Sequence, residues 1–175
     1  MIIQFCGLSG AGKTTLGKLV CKKLKDAGVE TELIDGDEYR NNLSRELGYS
    51  ASDRKENIRR LGFVAARMAA HNIVPVISAI NPYEEIRTEL SKTYPGVKTI
   101  FIDCPVSLLM QRDTKGLYKR ALLPRKDPAH LHNLSGINDT FDIPVNPDLH
   151  INTAENAIET CACKITTFIL EELNK

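Results

Sequence analysis

Residues 7–15 read Gly7-Leu8-Ser9-Gly10-Ala11-Gly12-Lys13-Thr14-Thr15, between an apolar run at 1–6 (MIIQFC) and the helical pattern LGKLVCKKLKDAG at 16–28. Gly7-x-x-x-x-Gly12-Lys13-Thr14 is the complete P-loop pattern, in the strand–loop–helix context that its mechanism needs. The glycines let the backbone turn tightly and aim successive N–H groups inward as an anion nest. The helix that follows adds its positive N-terminal end. All nine residues are therefore candidates for ATP contact. Lys13 is expected to reach the β- and γ-phosphates, and the Thr14 hydroxyl to ligate Mg²⁺.

Outward from this loop, apolar strands and amphipathic helices alternate. Residues 2–6, 30–34, 73–79, 98–103 and 148–151 read as strands, and their mostly continuous apolar character predicts a parallel sheet covered on both faces. Helical patterns occupy about 13–27, 38–46, 53–71, 83–92, 105–111 and 154–173. The alternation implies an α/β fold with a five-stranded sheet flanked by helices, ordered 2-3-1-4-5, with residues 1–175 as one domain. The stretch from about Asp113 to Pro147 breaks the pattern. It carries Pro124, Pro128, Pro144 and Pro147, and basic Lys115, Lys119, Arg120, Arg125 and Lys126. A loop this long beside a phosphate site, and positively charged, reads as a lid.

Composition narrows the function classes. Apolar residues make up 42% and charged residues 26%, and 23 basic side chains nearly balance 22 acidic ones. That balance suits a globular domain without a nucleic-acid partner. No apolar run approaches a membrane span, and the N-terminal apolar stretch breaks too soon to be a signal peptide. Cys6, Cys21, Cys104, Cys161 and Cys163 form an odd set without paired metal spacing, as expected for a cytoplasmic chain. His130 and His132 lack a third ligand.

The cradle alone does not name the acceptor. A guanine-nucleotide switch needs an Asn-Lys-x-Asp segment, and none is present. A small-molecule kinase needs a second pocket, a base for the acceptor hydroxyl and a lid against water. The second strand ends in Asp35-Gly36-Asp37, with Arg40 one turn on. Carboxyl ends of strands form the ligand crevice of such sheets, so both carboxylates lie beside the P-loop. One could serve Mg²⁺ and the other accept a proton; equally, the pair could be a turn with a helix N-cap. A helix starts near Ser50 or Ser52, and Arg54 and Asn57 extend its buried stripe (Leu61, Val64, Ala65, Met68) toward the crevice. Lys55 and Arg59 fall on the solvated face.

Taken together, GLSGAGKTT, DGDxxR, LGYSASDRKENIRR (47–60), INPY (80–83), RDTKGLYKRA (112–121) and NLSGINDTFDIPVNPDLHINT (133–153) resemble the adenylylsulfate kinase family in order and spacing. The resemblance covers nearly the whole chain and implies a P-loop kinase fold. It implies transfer of the γ-phosphoryl of ATP, with Mg²⁺, to the 3′-hydroxyl of adenosine 5′-phosphosulfate (APS). By position, Asp37 matches the carboxylate near that hydroxyl and Asp35 its metal-side neighbour. Arg40, Arg54 and Asn57 match contacts to the phosphosulfate and sugar, Ile80 lines the same pocket, and Lys115 matches a lid lysine that closes over the transferring phosphate. The resemblance also implies a homodimer and functional coupling to a sulfurylase.

The chain departs from that family at three places. The usual Phe-Ile-Ser-Pro turn is Ala79-Ile80-Asn81-Pro82; Asn81 cannot carry a phosphoryl group, so direct in-line transfer is expected. Of the two aromatics that enclose adenine, Tyr49 supplies one and Leu134 stands where the other belongs. The stretch RALLPRKDPAHLH (120–132) is longer than usual. Two other readings therefore stay open: a kinase for another nucleotide anhydride, such as a cytidine diphosphate derivative, and a non-catalytic ATP-binding regulator.

Overall fold

A computed structural model describes all of residues 1–175. In chain order the elements are β1 (Ile2–Cys6), α1 (Lys13–Asp26), β2 (Thr31–Asp35), α2 (Gly36–Leu43), α3 (Ala51–Ala69), β3 (Val74–Ser78), α4 (Glu84–Thr93), β4 (Val97–Asp103), α5 (Val106–Arg112), α6 (Leu117–Ala121), β5 (Leu149–Asn152) and α7 (Ile158–Leu173). The strands form one all-parallel sheet, ordered β2-β3-β1-β4-β5 as the alternation predicts.

Every residue of β1 is buried, because successive side chains enter two different cores. Ile3 and Phe5, with Val76, Ile100 and Ile102, pack beneath Leu16, Val20 and Leu24 of α1 and Cys161, Ile165 and Ile169 of α7. On the other face Ile2, Ile34 and Ile77 meet Ile58, Leu61 and Ala65 of α3 and Ile86 and Leu90 of α4. Each such Leu or Ile withdrawn from water contributes about 1.5–3 kcal/mol. Burial on two sides therefore fixes the central strand, and with it the loop that leaves its carboxyl end. No helix is long and apolar enough to cross a membrane.

The expected lid is more ordered than its sequence suggests. Asp113 ends α5 at φ 20°, and its carboxylate accepts from the backbone N–H groups of Tyr118 (3.1 Å) and Lys119 (2.9 Å), starting the short helix α6. Farther along, the segment is pinned by Arg87 of α4, which is 1% exposed. Its guanidinium donates to the carbonyls of Asn81 and Asp142 (2.6 Å each) and to the Glu84 carboxylate (2.6 and 3.0 Å). The Asp142 backbone N–H reaches the Pro82 carbonyl (2.8 Å), and its carboxylate accepts from the Glu84 N–H (3.0 Å). Asn81 occupies the left-handed region (φ 46°), which Asn tolerates better than most residues. Its amide turns into the sheet and donates to Gln4 Oε1 (3.0 Å), while Gln4 donates to Thr99 Oγ1 (2.8 Å).

Replacing Arg87 with Leu strands several of these acceptors in the interior. The expected loss is about 2–4 kcal/mol in urea unfolding; a change below about 1 kcal/mol would show that the strap does not depend on this pin.

Candidate active site

The P-loop lies across the carboxyl end of β1 and is fastened by its neighbours. Gly7 donates its N–H to the Ile80 carbonyl (3.1 Å), and a Cβ there would stand 2.2 Å from the Ile102 carbonyl oxygen, so only glycine fits. Tyr118 donates its hydroxyl to the Ser9 carbonyl (2.8 Å), and Thr153 donates to the Ala11 carbonyl (3.1 Å). Gly10 and Gly12 take positive φ, as a nest of inward N–H groups requires. Lys13 is buried at the start of α1 and donates to the Leu8 carbonyl (2.7 Å). Burial lowers its pKa to about 8 from an ordinary 10.5, and Lys115 nearby pushes the same way.

Thr14 faces the end of β2. Its hydroxyl donates to Asp35 Oδ2 (2.8 Å) and lies 3.4 Å from the hydroxyl of Ser78, at the end of β3. The other Asp35 oxygen accepts from the N–H groups of Asp37 (3.0 Å) and Glu38 (3.3 Å), capping α2. The N-cap reading of the Asp-Gly-Asp turn therefore holds, and the cap explains why α2 begins at Gly36, earlier than the pattern alone places it. Two hydroxyls and a carboxylate are hard oxygen donors, the kind Mg²⁺ selects when nucleotide phosphates and water complete its shell. The residues fit that ion.

Asp37 projects outward from the first turn of α2. Its carboxylate accepts a hydrogen bond from Lys115 at 2.7 Å, and both side chains are more than half exposed. The lid lysine and the candidate base therefore meet, 78 residues apart in sequence.

Arg40, Tyr49 and Arg54 form a second cluster. The Arg40 guanidinium lies 4.5 Å from the Tyr49 ring centroid and that of Arg54 5.4 Å, as cation–π contacts. Arg40 also donates to the Gly48 carbonyl. Arg54 donates to the carbonyls of Tyr49 (3.1 Å) and Asn133 (2.5 Å), and pairs with Asp139 at 3.4 Å. Asn57 is buried one turn further along α3, and its amide oxygen has no protein partner; Arg40 Nε is also buried and unpartnered. Buried polar groups are ordinarily satisfied, so these two atoms suit a polar ligand.

Leu134 is placed differently from expectation. Its side chain is 4% exposed and belongs to the larger core with Tyr118 and Ala121, so it is not an open wall for a base. Its segment still reaches the crevice, through Asn133 and Asp139 on Arg54. Ile80, by contrast, sits beside the P-loop through its carbonyl. Lys55 and Arg59 pair with Glu85 and Glu89 on the outer face. Three contributors escape a sequence reading. Ser78 ends an apolar strand, Thr153 follows one, and Tyr118 looks like an ordinary core aromatic.

The family model described as adenylylsulphate kinase matches residues 1–152. The chain belongs to that family. The adenylyl-sulfate kinase of Chloroflexus aurantiacus is 41% identical over 161 residues, covering 92% of this chain and 84% of that one. A solved structure of the Mycobacterium tuberculosis APS kinase CysC, in complex with AMPPNP and APS, superposes with a TM-score of 0.88 at 32% identity, covering 97% and 96% of the two chains. A probable bifunctional SAT/APS kinase of Sorangium cellulosum is 40% identical over 172 residues, 98% of this chain but 29% of that protein.

For an adenylylsulphate kinase-family P-loop, the buried Lys13 has a measurable consequence. Its folded pKa lies below its unfolded value, so between pH 8 and 10.5 the unfolded chain holds more protons. Burial of the charge therefore costs stability below pH 8, and that cost fades as pH rises through the window. A bound polyphosphate restores the charged form. ATP binding at pH 8.5 should take up a proton, read as a binding enthalpy that tracks the ionisation enthalpy of the buffer in calorimetry. Identical enthalpies in two such buffers would contradict the depressed pKa.

Proposed function

We propose that this chain is an adenylylsulfate kinase. It transfers the γ-phosphoryl of ATP to the 3′-hydroxyl of APS, giving 3′-phosphoadenylyl sulfate and ADP. The observation that carries the reading is the convergence of Asp37 and Lys115 at 2.7 Å, beside a phosphate cradle whose Thr14 is bonded to Asp35.

Phosphoryl transfer demands positioning and charge neutralisation more than covalent chemistry. The P-loop N–H groups and Lys13 hold the β- and γ-phosphates. Thr14 and Asp35 would hold Mg²⁺ bound with ATP, where it would supply charge neutralisation on the phosphate oxygens. Arg40 and Arg54 suit an acceptor that is anionic along its phosphosulfate, since guanidinium groups match such oxygens in pairs. Tyr49 offers a ring face to the base, and Asn57 its free amide oxygen. When the acceptor hydroxyl reaches Asp37 it displaces Lys115. Asp37 can then take the hydroxyl proton, and Lys115 can meet the transferring phosphoryl. Asn81 offers no nucleophilic oxygen and its amide is turned toward Gln4, which supports direct in-line transfer.

One second reading is favoured because Leu134 is aliphatic and buried, which leaves Tyr49 as the only ring at the two base-enclosing positions. A smaller base, as in a cytidine diphosphate derivative, needs less aromatic area. The similarity to the bifunctional SAT/APS kinase supports coupling to a sulfurylase. Four of five free thiols are buried, in keeping with a reducing cytoplasm.

The test is ADP release from Mg-ATP with APS and, in parallel, cytidine and adenosine diphosphate derivatives. Turnover with APS alone supports the reading; turnover only with another nucleotide moves the acceptor. Asp37→Asn should lower kcat by roughly 10²-fold or more while ATP affinity stays within about threefold. Normal turnover would remove Asp37 as the base.

A further inference from the structure

Lys115 sits on a turn, residues 113–116, held between two helices. Asp113 closes the turn on one side, accepting both the Tyr118 and Lys119 N–H groups, while its own carbonyl accepts from the Gly116 N–H (2.9 Å). Gly116 takes φ 65° with open space around it. On the other side the only side-chain hydrogen bond from α6 to the P-loop is that of Tyr118, whose hydroxyl donates to the Ser9 carbonyl at 2.8 Å across 109 residues. The Tyr118 ring is 2% exposed in the larger core, so the phenol cannot swing away. Burial pushes its pKa up to about 12, which keeps it a donor at every physiological pH. Ser9, Gly10, Arg112, Asp113, Thr114, Lys115 and Tyr118 enclose one small pocket, so the turn and the outer edge of the cradle face each other directly.

We propose that Tyr118 is a positioning residue: its hydroxyl sets the register of the Lys115 turn on the P-loop, so that Lys115 meets the transferring phosphoryl. The proposal rests on the kinase reading above. A lysine on an untethered turn samples many positions, and misplacement by about 1 Å can cost on the order of 10²-fold in rate. One hydrogen bond to a rigid loop removes that freedom. Tyr118 touches neither phosphate nor acceptor; it acts through Lys115.

The experiment is a double-mutant cycle with the full chain, Mg-ATP and whichever acceptor supports wild-type turnover. Tyr118→Phe keeps the buried ring and deletes only the hydroxyl. It should lower kcat roughly tenfold, the scale of one aligned hydrogen bond, with KM for the acceptor within about twofold. On a Lys115→Ala background the same change should alter kcat by less than about twofold, because the group it positions is gone. A purely structural role predicts the reverse: equal slowing in both backgrounds, or loss of ATP affinity without a kcat effect. Either result overturns the proposal, as does an unchanged kcat in the single variant. If Tyr118→Phe is unstable, Asp113→Asn weakens the same turn from its other side and should reproduce the kcat loss and its dependence on Lys115. Wild-type inactivity toward every acceptor would instead indict the kinase reading.

Discussion

The structure depends on holding a loop of inward-facing N–H groups and a buried ammonium in place before any phosphate arrives. Lys13 has only the Leu8 carbonyl as a hydrogen-bond partner, and its charge is already costly there. Left to itself such a loop would collapse or open to water. It does neither, because it is clamped from four sides: by Ile80 after β3, by the close approach of Ile102 in β4, by Thr153 after β5, and by Tyr118 of α6. Three of those anchors stand on or just after strands packed against the cores, and Tyr118 is itself buried in the larger core. Preorganisation of this kind removes reorganisation from the chemical step, which is where it helps most.

Around the rigid cradle the charged groups are held more loosely. The Lys115–Asp37 pair is exposed on both sides, and exposed pairs contribute about 0–1 kcal/mol. In the proposed reaction, an acceptor hydroxyl and an incoming phosphate separate it at little cost. Arg54 is the opposite case: it is nearly buried and shared among Tyr49, Asn133 and Asp139, so it ties the lid to α3 even without substrate. The site therefore combines a fixed phosphate floor, a fixed arginine post and one exchangeable ion pair.

The fold was legible because its signals are local and repeated. Continuous apolar runs predict buried parallel strands, and Gly7 to Thr14 places the crevice. Asp35, Asp37, Arg40, Arg54 and Asn57 were legible as candidates because each lies a short step from a strand end or helix start. What escaped depends on partners far away in sequence. The α6 helix needs Asp113 as its cap and Gly116 at positive φ. Leu134 enters the core beside Tyr118 and Ala121 of α6. Asn81 turns inward because Gln4, 77 residues earlier, receives its amide. Ser78 meets Thr14 only because β3 pairs with β1, which sets Ser78 beside Phe5 at the mouth of the P-loop.

The proposed reaction is a single, direct displacement across this cradle onto the 3′-oxygen of APS. Its most direct test is the stereochemistry of transfer from ATP made chiral at the γ-phosphorus with oxygen isotopes. Inversion at phosphorus in 3′-phosphoadenylyl sulfate is the predicted result. Retention would require two displacements through a phosphorylated side chain, and would contradict the direct path drawn from Asp37, Lys115 and the inward-turned Asn81.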